Sequence, residues 1–149
     1  MKKFLAVLVA AAMAVTIVPS ASAADSAQLT NVHTEHYATF DRVVFDLTGG
    51  QPNVSLESVG SLENCASGKP INATGVEFLQ VRLQPADGRL YQGSRNFTTG
   101  LPTAQSIAFT CDFEANLAIA IGVDHHTPTY RAGFVTGPLR YVVDIDKKP

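Results

Sequence analysis

Hydrophobic and polar residues alternate with a period of two over several short segments of the chain, and turn-forming residues bound these segments. Residues 42–47 (RVVFDL) place Val43, Phe45 and Leu47 on one face, and two glycines follow. Residues 53–59 (NVSLESV) repeat the alternation. Because successive side chains of a strand point to opposite faces, the pattern predicts two strands joined as a hairpin.

Further strand patterns continue toward the C-terminus. Residues 76–83 (VEFLQVRL) form an apolar segment whose phase slips near Leu79 and Gln80, which predicts a β-bulge. Two more hairpins are predicted, over residues 107–113 with 117–123 and over residues 131–136 with 139–145. Residues 60–75 and 84–102 are rich in turn-forming residues and are predicted as loops, the second long enough to be functional or mobile. The spacing of the strands predicts an all-β fold, an antiparallel β-sandwich or a flattened barrel.

The N-terminus has the pattern of a secretory signal: two lysines, an apolar run over residues 4–18, and the small residues Ala21, Ser22 and Ala23. The apolar run is shorter than the roughly 20 residues that cross a bilayer as a helix, so no transmembrane segment is expected. The predicted organisation is a signal peptide at residues 1–23, a flexible mature N-terminus at 24–31, one β-sandwich domain at 32–146 and a tail at 147–149.

Composition narrows the function classes. Of 149 residues, 46% are hydrophobic and 16% are charged, which is typical of a folded domain. Lys and Arg number 11, or 9 without the two signal lysines, against 13 Asp and Glu. This balance gives no electrostatic reason to expect a nucleic-acid partner.

Both cysteines, Cys65 and Cys111, lie in the mature part. An even number of cysteines in an exported chain favours a disulfide over a metal or redox site. Neither cysteine follows the predicted cleavage site, so no lipid anchor is expected.

The strands predicted at residues 42–47 and 140–145 are near copies (RVVFDL and RYVVDI), each with Arg and Asp four positions apart on one face. Antiparallel pairing with Val44 opposite Val142 sets unlike charges side by side, as Arg42 with Asp144 and Arg140 with Asp46. The alternative is that the strands lie in different sheets and that these charges simply face solvent.

Four segments together resemble a known family: FDRVVFDLTG (40–49), FLQVRLQPA (78–86), IAFTCDFEANLAIAIGVD (107–124) and PLRYVVDI (138–145). In this order they resemble the AMIN-like domain of exported actinobacterial proteins, over residues 31–146. The resemblance implies a β-sandwich related to the AMIN domain. That domain serves cell-wall amidases and secretin-type pores as a module that recognises the envelope and not as a catalyst.

Catalytic signatures are absent from the sequence: there is no Gly-x-Ser-x-Gly, His-Glu-x-x-His, P-loop or dinucleotide-binding motif. The densest group of metal-binding residue types is Asp124, His125 and His126, with His33 and His36 elsewhere. Adjacent histidines on an extended chain point to opposite faces and a turn follows, so we expect an exposed polar loop, no metal and no cofactor. Asp112 and Glu114 flank a predicted turn and are expected to face solvent, not to act as an acid/base pair.

Sugar recognition usually uses exposed aromatic rings, and the chain has no Trp. Tyr37, Tyr91 and Tyr130 lie outside the inward positions of the strands and are the candidate ligand-binding residues. Their alternative role is to cap a sheet edge with the hydroxyl in water.

Three functions follow from these patterns. The first is a secreted, non-catalytic β-sandwich that binds a cell-wall or extracellular component, where the envelope connection depends on the resemblance alone. The second is a small secreted hydrolase or metalloenzyme that uses His125 and His126. The third is a secreted inhibitor that presents residues 84–102 to a protein.

Overall fold

The computed structural model describes residues 25–149, and the predicted signal peptide lies outside the described residues. The described part contains strands and no helix. The strands are β1 (Ala27–His36), β2 (Phe40–Thr48), β3 (Asn53–Val59), β4 (Leu62–Glu63), β5 (Pro70–Ile71), β6 (Glu77–Gln84), β7 (Ala86–Asp87), β8 (Asn96–Thr98), β9 (Ala104–Phe113), β10 (Asn116–Val123), β11 (Tyr130–Val135) and β12 (Arg140–Asp146).

Two five-stranded sheets form the described domain. Sheet 1 has the order β11-β12-β2-β1-β7 and sheet 2 has the order β3-β6-β10-β9-β8, while β4 and β5 form a separate ladder. Neighbouring strands pair antiparallel, except for a short parallel contact between β1 and β7. The predicted all-β sandwich is confirmed, and so are the hairpins of β9 with β10 and of β11 with β12.

The main core lies between the two sheets and is built from the inward residues of both. A fully buried side chain of this size stabilises the fold by about 1.5–3 kcal/mol. The largest fully buried side chains are Phe45, Leu29, Leu79, Leu83, Ile107, Leu117, Ile119, Ile121, Ile145, Val43, Val81 and Val123.

One buried carboxylate links the two sheets. Asp41, in β2 of sheet 1, is fully buried. Its Oδ2 accepts hydrogen bonds from the backbone N–H groups of Thr103 (2.8 Å) and Ala104 (3.0 Å), at the start of β9 in sheet 2. Its Oδ1 lies 2.8 Å from Nδ1 of His36. The carboxylate therefore satisfies two backbone donors that would otherwise be buried without partners.

The flexible segment predicted at residues 24–31 is wrong for most of its length, because residues from Ala27 onward belong to β1, which pairs with β2. The strand buries Ala27, Leu29 and Val32. The pairing register shifts between Leu29 and Asn31, so these inward residues do not keep a period of two. The predicted hairpin of residues 42–47 with 53–59 is also wrong: β2 lies in sheet 1, whereas β3 pairs with β6 in sheet 2.

The bulge predicted near Leu79 and Gln80 is absent from the described strand β6, whose register with β3 and β10 is unbroken. The sequence looked irregular because Phe78 and Leu79 are both buried although they point to opposite faces. Leu79 joins the main core. Phe78 belongs to a second cluster on the outer face of sheet 2, with Leu62, Ala108 and Ala120.

A disulfide closes residues 60–75 over that outer face. Cys65 and Cys111 are bonded, with their Cα atoms 5.2 Å apart, so the predicted disulfide is confirmed. Thr110 forms a β-bulge, because it has no partner in the register of β9 with β10. Without the bulge, Cys111 would point inward like Phe109. With it, Cys111 lies opposite the outward Ala118 and points to the outer face.

Residues 84–102, predicted as a long irregular loop, contain two short strands. β7 adds to the edge of sheet 1, and β8 adds to the edge of sheet 2. The segment therefore passes from one sheet to the other and is fastened to both.

Candidate functional site

The outer face of sheet 1 carries the charged residues of β2 and β12. The two strands pair antiparallel with Val44 opposite Val142, Arg42 opposite Asp144 and Arg140 opposite Asp46, which confirms the predicted register. Beyond them, β1 places Glu35 beside Arg42, and β11 places Arg131 beside Asp144. No other strand of residues 25–149 packs on this face.

Arg42 and Asp144, the first predicted charge pair, form a bidentate ion pair. Arg42 donates from Nε and Nη2 to the two carboxylate oxygens of Asp144, at 2.7 and 2.9 Å. These hydrogen bonds raise the pKa of the Arg42 guanidinium above its ordinary value. Two parallel bonds to a carboxylate fix the position of both side chains, so Arg42 is held rigidly on the face.

The second predicted pair, Arg140 with Asp46, does not form in the structure. Oδ2 of Asp46 lies 3.2 Å from Nδ1 of His33 on β1. Nε of Arg140 is buried and has no hydrogen-bond partner among the described residues. The strands place the two side chains opposite each other, but the carboxylate turns to the neighbouring strand.

An aromatic pair lies at the end of the same face. The rings of Tyr37 and Phe40 are stacked with centroids 4.5 Å apart. The guanidinium of Arg42 lies 5.2 Å from the Tyr37 ring and 5.5 Å from the Phe40 ring, and that of Arg131 lies 5.5 Å from the Phe40 ring. Such distances allow cation–π attraction, so the arginines hold the aromatic pair in place.

The Tyr37 hydroxyl is fixed by its neighbour on β1. It donates a hydrogen bond of 2.6 Å to Glu35. This bond to the carboxylate raises the pKa of Tyr37. The side chain remains 38% exposed, so the ring is accessible to a ligand although its hydroxyl is oriented.

The three candidate tyrosines do not form one site. Tyr91 is buried: its ring stacks on Phe109 at 5.0 Å, its hydroxyl donates to the Ser94 carbonyl at 2.9 Å, and burial raises its pKa. The prediction of Tyr91 as a ligand-binding residue is therefore wrong. Tyr130 is 38% exposed, but it pairs with the fully buried Ile145 and so lies on the other side of sheet 1 from Tyr37.

The histidines predicted as possible metal ligands point to different carboxylates. Nδ1 of His125 lies 2.6 Å from Asp124, and Nδ1 of His126 lies 3.1 Å from Glu77. A cleft of about 730 Å³ contains both histidines. Within residues 25–149 no group of three or more His, Cys, Asp or Glu side chains could hold a metal ion.

Hydrogen bonds fasten the turn that carries His126 to sheet 2. The carboxylate of Glu77 accepts hydrogen bonds from the Ser58 hydroxyl and from the backbone N–H of Thr127, besides its contact with His126. These contacts, led by the Ser58 bond, lower the pKa of Glu77.

Asp112 and Glu114, which were not expected to act as an acid/base pair, have different surroundings. Asp112 accepts a 2.7 Å hydrogen bond from Arg95 and one of 3.1 Å from the backbone N–H of Gly88. Because Asp112 is paired in this way, the prediction that it faces solvent is wrong. Glu114 is exposed in the hairpin turn that follows β9.

Sequence reasoning missed Phe40 and Arg131 as residues of this face. Phe40 stands two positions before Arg42, so the alternation that marked Arg42 as outward also marks Phe40. Arg131 could be found only from the register of β11 with β12, which places it beside Asp144.

Comparison with known proteins gives one family. The sequence model of the AMIN-like domain family matches residues 27–147, a range that includes β1 and every later strand. No curated protein and no solved structure matches the chain. The described residues contain no helix of the length and hydropathy needed to span a membrane. The match covers most of the sequence and has the strand content that the resemblance implied, and the chain therefore belongs to the AMIN-like domain family.

Proposed function

We propose that this protein is a secreted, non-catalytic binding domain that attaches to a cell-wall component through the outer face of sheet 1. Membership of the AMIN-like family is consistent with a cell-wall-associated role. The disulfide supports an extracellular or envelope location, where such bonds persist. The secretory signal at residues 1–23 and the actinobacterial source implied by the resemblance remain predictions of the sequence.

The observation that carries the proposal is the aromatic pair on an uncovered sheet. Tyr37 and Phe40 are stacked, and Arg42 and Arg131 lie over their rings. Flat apolar rings beside fixed charged groups suit a ligand with both a sugar face and polar substituents. Because the arginines and the aromatic rings support one another, the face needs little rearrangement on binding.

The alternatives receive less support. For an enzyme, His125 and His126 would have to act on one substrate, yet each is held by a different carboxylate. For an inhibitor loop, residues 84–102 would have to project from the domain. Instead Tyr91 is buried, β7 is part of sheet 1 and β8 is part of sheet 2.

Cosedimentation with isolated bacterial cell walls at low salt tests the proposal. We expect the wild type to be retained and Tyr37→Ala to weaken retention about fivefold, because the variant loses an aromatic stacking contact. Tyr130→Ala is the matched control, since Tyr130 is equally exposed but lies on the other side of sheet 1.

Absence of wild-type retention at low salt would count against wall binding altogether. Equal losses for Tyr37→Ala and Tyr130→Ala would count against this face as the binding surface. Thermal unfolding of each variant checks that the fold is intact.

A further inference from the structure

Arg140 differs from the other arginines of the described chain. Among residues 25–149, five of the six arginines have a carboxylate within 4.0 Å: Arg42, Arg82, Arg89, Arg95 and Arg131. No carboxylate of the described residues lies that close to Arg140, and its buried Nε has no hydrogen-bond partner there. Nε has almost no exposed surface, so a ligand from solvent would meet the terminal nitrogens of this guanidinium and not Nε.

The register of β12 with β2 does not explain why Arg140 lacks a carboxylate partner. Asp46 lies directly opposite Arg140 on β2, which is the pairing expected for unlike charges. His33 contacts that carboxylate instead, at 3.2 Å. Arg140 is therefore the one arginine of this face, among Arg42, Arg131 and Arg140, without an ion pair among the described residues.

A row of small and apolar residues lies next to Arg140. One register row crosses the sheet through Gly133, Val142 and Val44. Gly133 has no side chain, and a Cβ added there would meet no atom within 4 Å. Val44 is only 2% exposed, so the partly exposed Val142 and the bare backbone of Gly133 form the open part of this row, between the row of Arg140 and the row of Arg42 and Asp144.

The charges of this face favour one kind of anion. Its acidic residues are Glu35, Asp46, Asp144 and Asp146. Three arginines against four carboxylates give the face no net positive charge to attract a polyanion such as a phosphate polymer, whereas a single carboxylate on an otherwise neutral ring needs only the one arginine without an ion pair. The planar fork of a guanidinium matches the two oxygens of a carboxylate.

We infer that Arg140 binds a carboxylate of a glycan lying across the outer face of sheet 1, and that it makes this face prefer carboxylate-bearing glycans over neutral ones. The inference rests on the proposed wall-binding function and goes beyond it by naming the ligand group and the residue that selects it. Arg140 is the selecting residue because Arg42 and Arg131 already hold their own carboxylates.

The test uses soluble peptidoglycan glycan fragments from which the stem peptides have been removed, so that the carboxyl groups lie on the sugars, and the same fragments with these carboxyl groups amidated by carbodiimide and methylamine. Binding to the full chain is measured by calorimetry. We expect amidation to weaken wild-type binding about tenfold, and Arg140→Gln to weaken binding of the untreated fragments by a similar factor, since either change removes a charge-assisted hydrogen bond. Amidation should then cost the variant nothing more, which is the signature of a direct pair.

Arg89→Gln is the control because it changes the net charge equally, and Arg89 is paired with Asp87 of the edge strand β7, three strands from β12. It should bind both probes as the wild type does. Arg140→Lys keeps the charge without the fork and should fall between the wild type and Arg140→Gln.

The outcomes separate the two proposals. Wild-type binding that amidation leaves unchanged, or an Arg140→Gln variant that loses as much on amidation as the wild type, would overturn the role of Arg140 alone. Tighter binding to a teichoic-acid phosphate polymer than to the untreated fragments would overturn the carboxylate preference. Absence of binding to every probe would remove the wall-binding function and this inference together.

Discussion

Phe78, Ala108 and Ala120 point outward from sheet 2, yet they are buried, because residues 60–75 cross over them and are fastened by the disulfide between Cys65 and Cys111. The outward residues of sheet 1 are mostly charged or aromatic, and no further strand of the described chain covers them. The two outer faces therefore differ in what stabilises them. Sheet 2 depends on apolar burial under a cross-linked loop, whereas sheet 1 depends on ion pairs and cation–π contacts that a ligand can reach.

The largest effect should come from removing the cross-link. Replacing Cys65 and Cys111 together by alanine should lower the free energy of unfolding by about 4 kcal/mol, because a cross-link with a sequence separation of 46 no longer restricts the unfolded chain. Urea denaturation measures the change. At temperatures where the variant stays folded, binding to cell walls should persist, since the outer face of sheet 1 is built without these residues. A loss below about 1 kcal/mol would show that the loop holds its place without the bond.

A phenylalanine on each outer face gives a matched comparison. Phe78→Ala should lower the free energy of unfolding by about 3 kcal/mol, because it leaves a cavity among Leu62, Ala108 and Ala120. Phe40→Ala should cost less than about 1 kcal/mol, because Phe40 is only partly buried and its contacts are on the surface. Urea denaturation of the two variants decides the matter, and equal losses would contradict the distinction between a covered and an open face.

The smallest effect concerns acid stability at one end of sheet 2, where β6 begins with Glu77. The Ser58 hydroxyl, the Thr127 backbone N–H and His126 lower the pKa of Glu77 in the folded protein below its ordinary value of 4.5. The stabilisation is therefore complete above about pH 4.5 and is lost as the pH falls through the folded-state pKa.

Glu77→Gln should consequently lower the urea midpoint at pH 7, and the gap from the wild type should narrow between pH 4.5 and pH 3. Ser58→Ala removes the largest single cause of the shift and should give a smaller change in the same direction. Parallel pH profiles of wild type and Glu77→Gln would contradict the assignment.

The arrangement of β2 and β12 could be predicted because both strands keep a strict period of two and carry Arg and Asp at matching positions. That pattern fixes strand direction and register together, so Val44 lies opposite Val142 as expected. It could not predict that Asp46 would turn to His33, because His33 comes from β1, which the sequence does not reveal as a strand.

The elements that were missed share a physical cause. The bulge after Leu29 in β1 breaks the alternation of inward residues, and Phe78 is buried by a loop distant from it in sequence. Tyr91 is inward because its loop folds back on Phe109, again a contact between separate segments. Local periodicity reports on one strand at a time, so it fails where a second segment covers a face or where an extra residue changes the phase.

The buried carboxylate of Asp41 bears on how the open face recognises a ligand. It stands between Phe40 and Arg42 on β2, and its hydrogen bonds to the N–H groups of Thr103 and Ala104 anchor this stretch of backbone to sheet 2. Two side chains of the proposed binding surface thus project from a backbone whose conformational entropy was already lost during folding. A ligand that binds Phe40 and Arg42 therefore costs less conformational entropy than it would on a mobile loop. A substitution at Asp41 would weaken ligand binding through the backbone, although Asp41 itself does not contact the ligand.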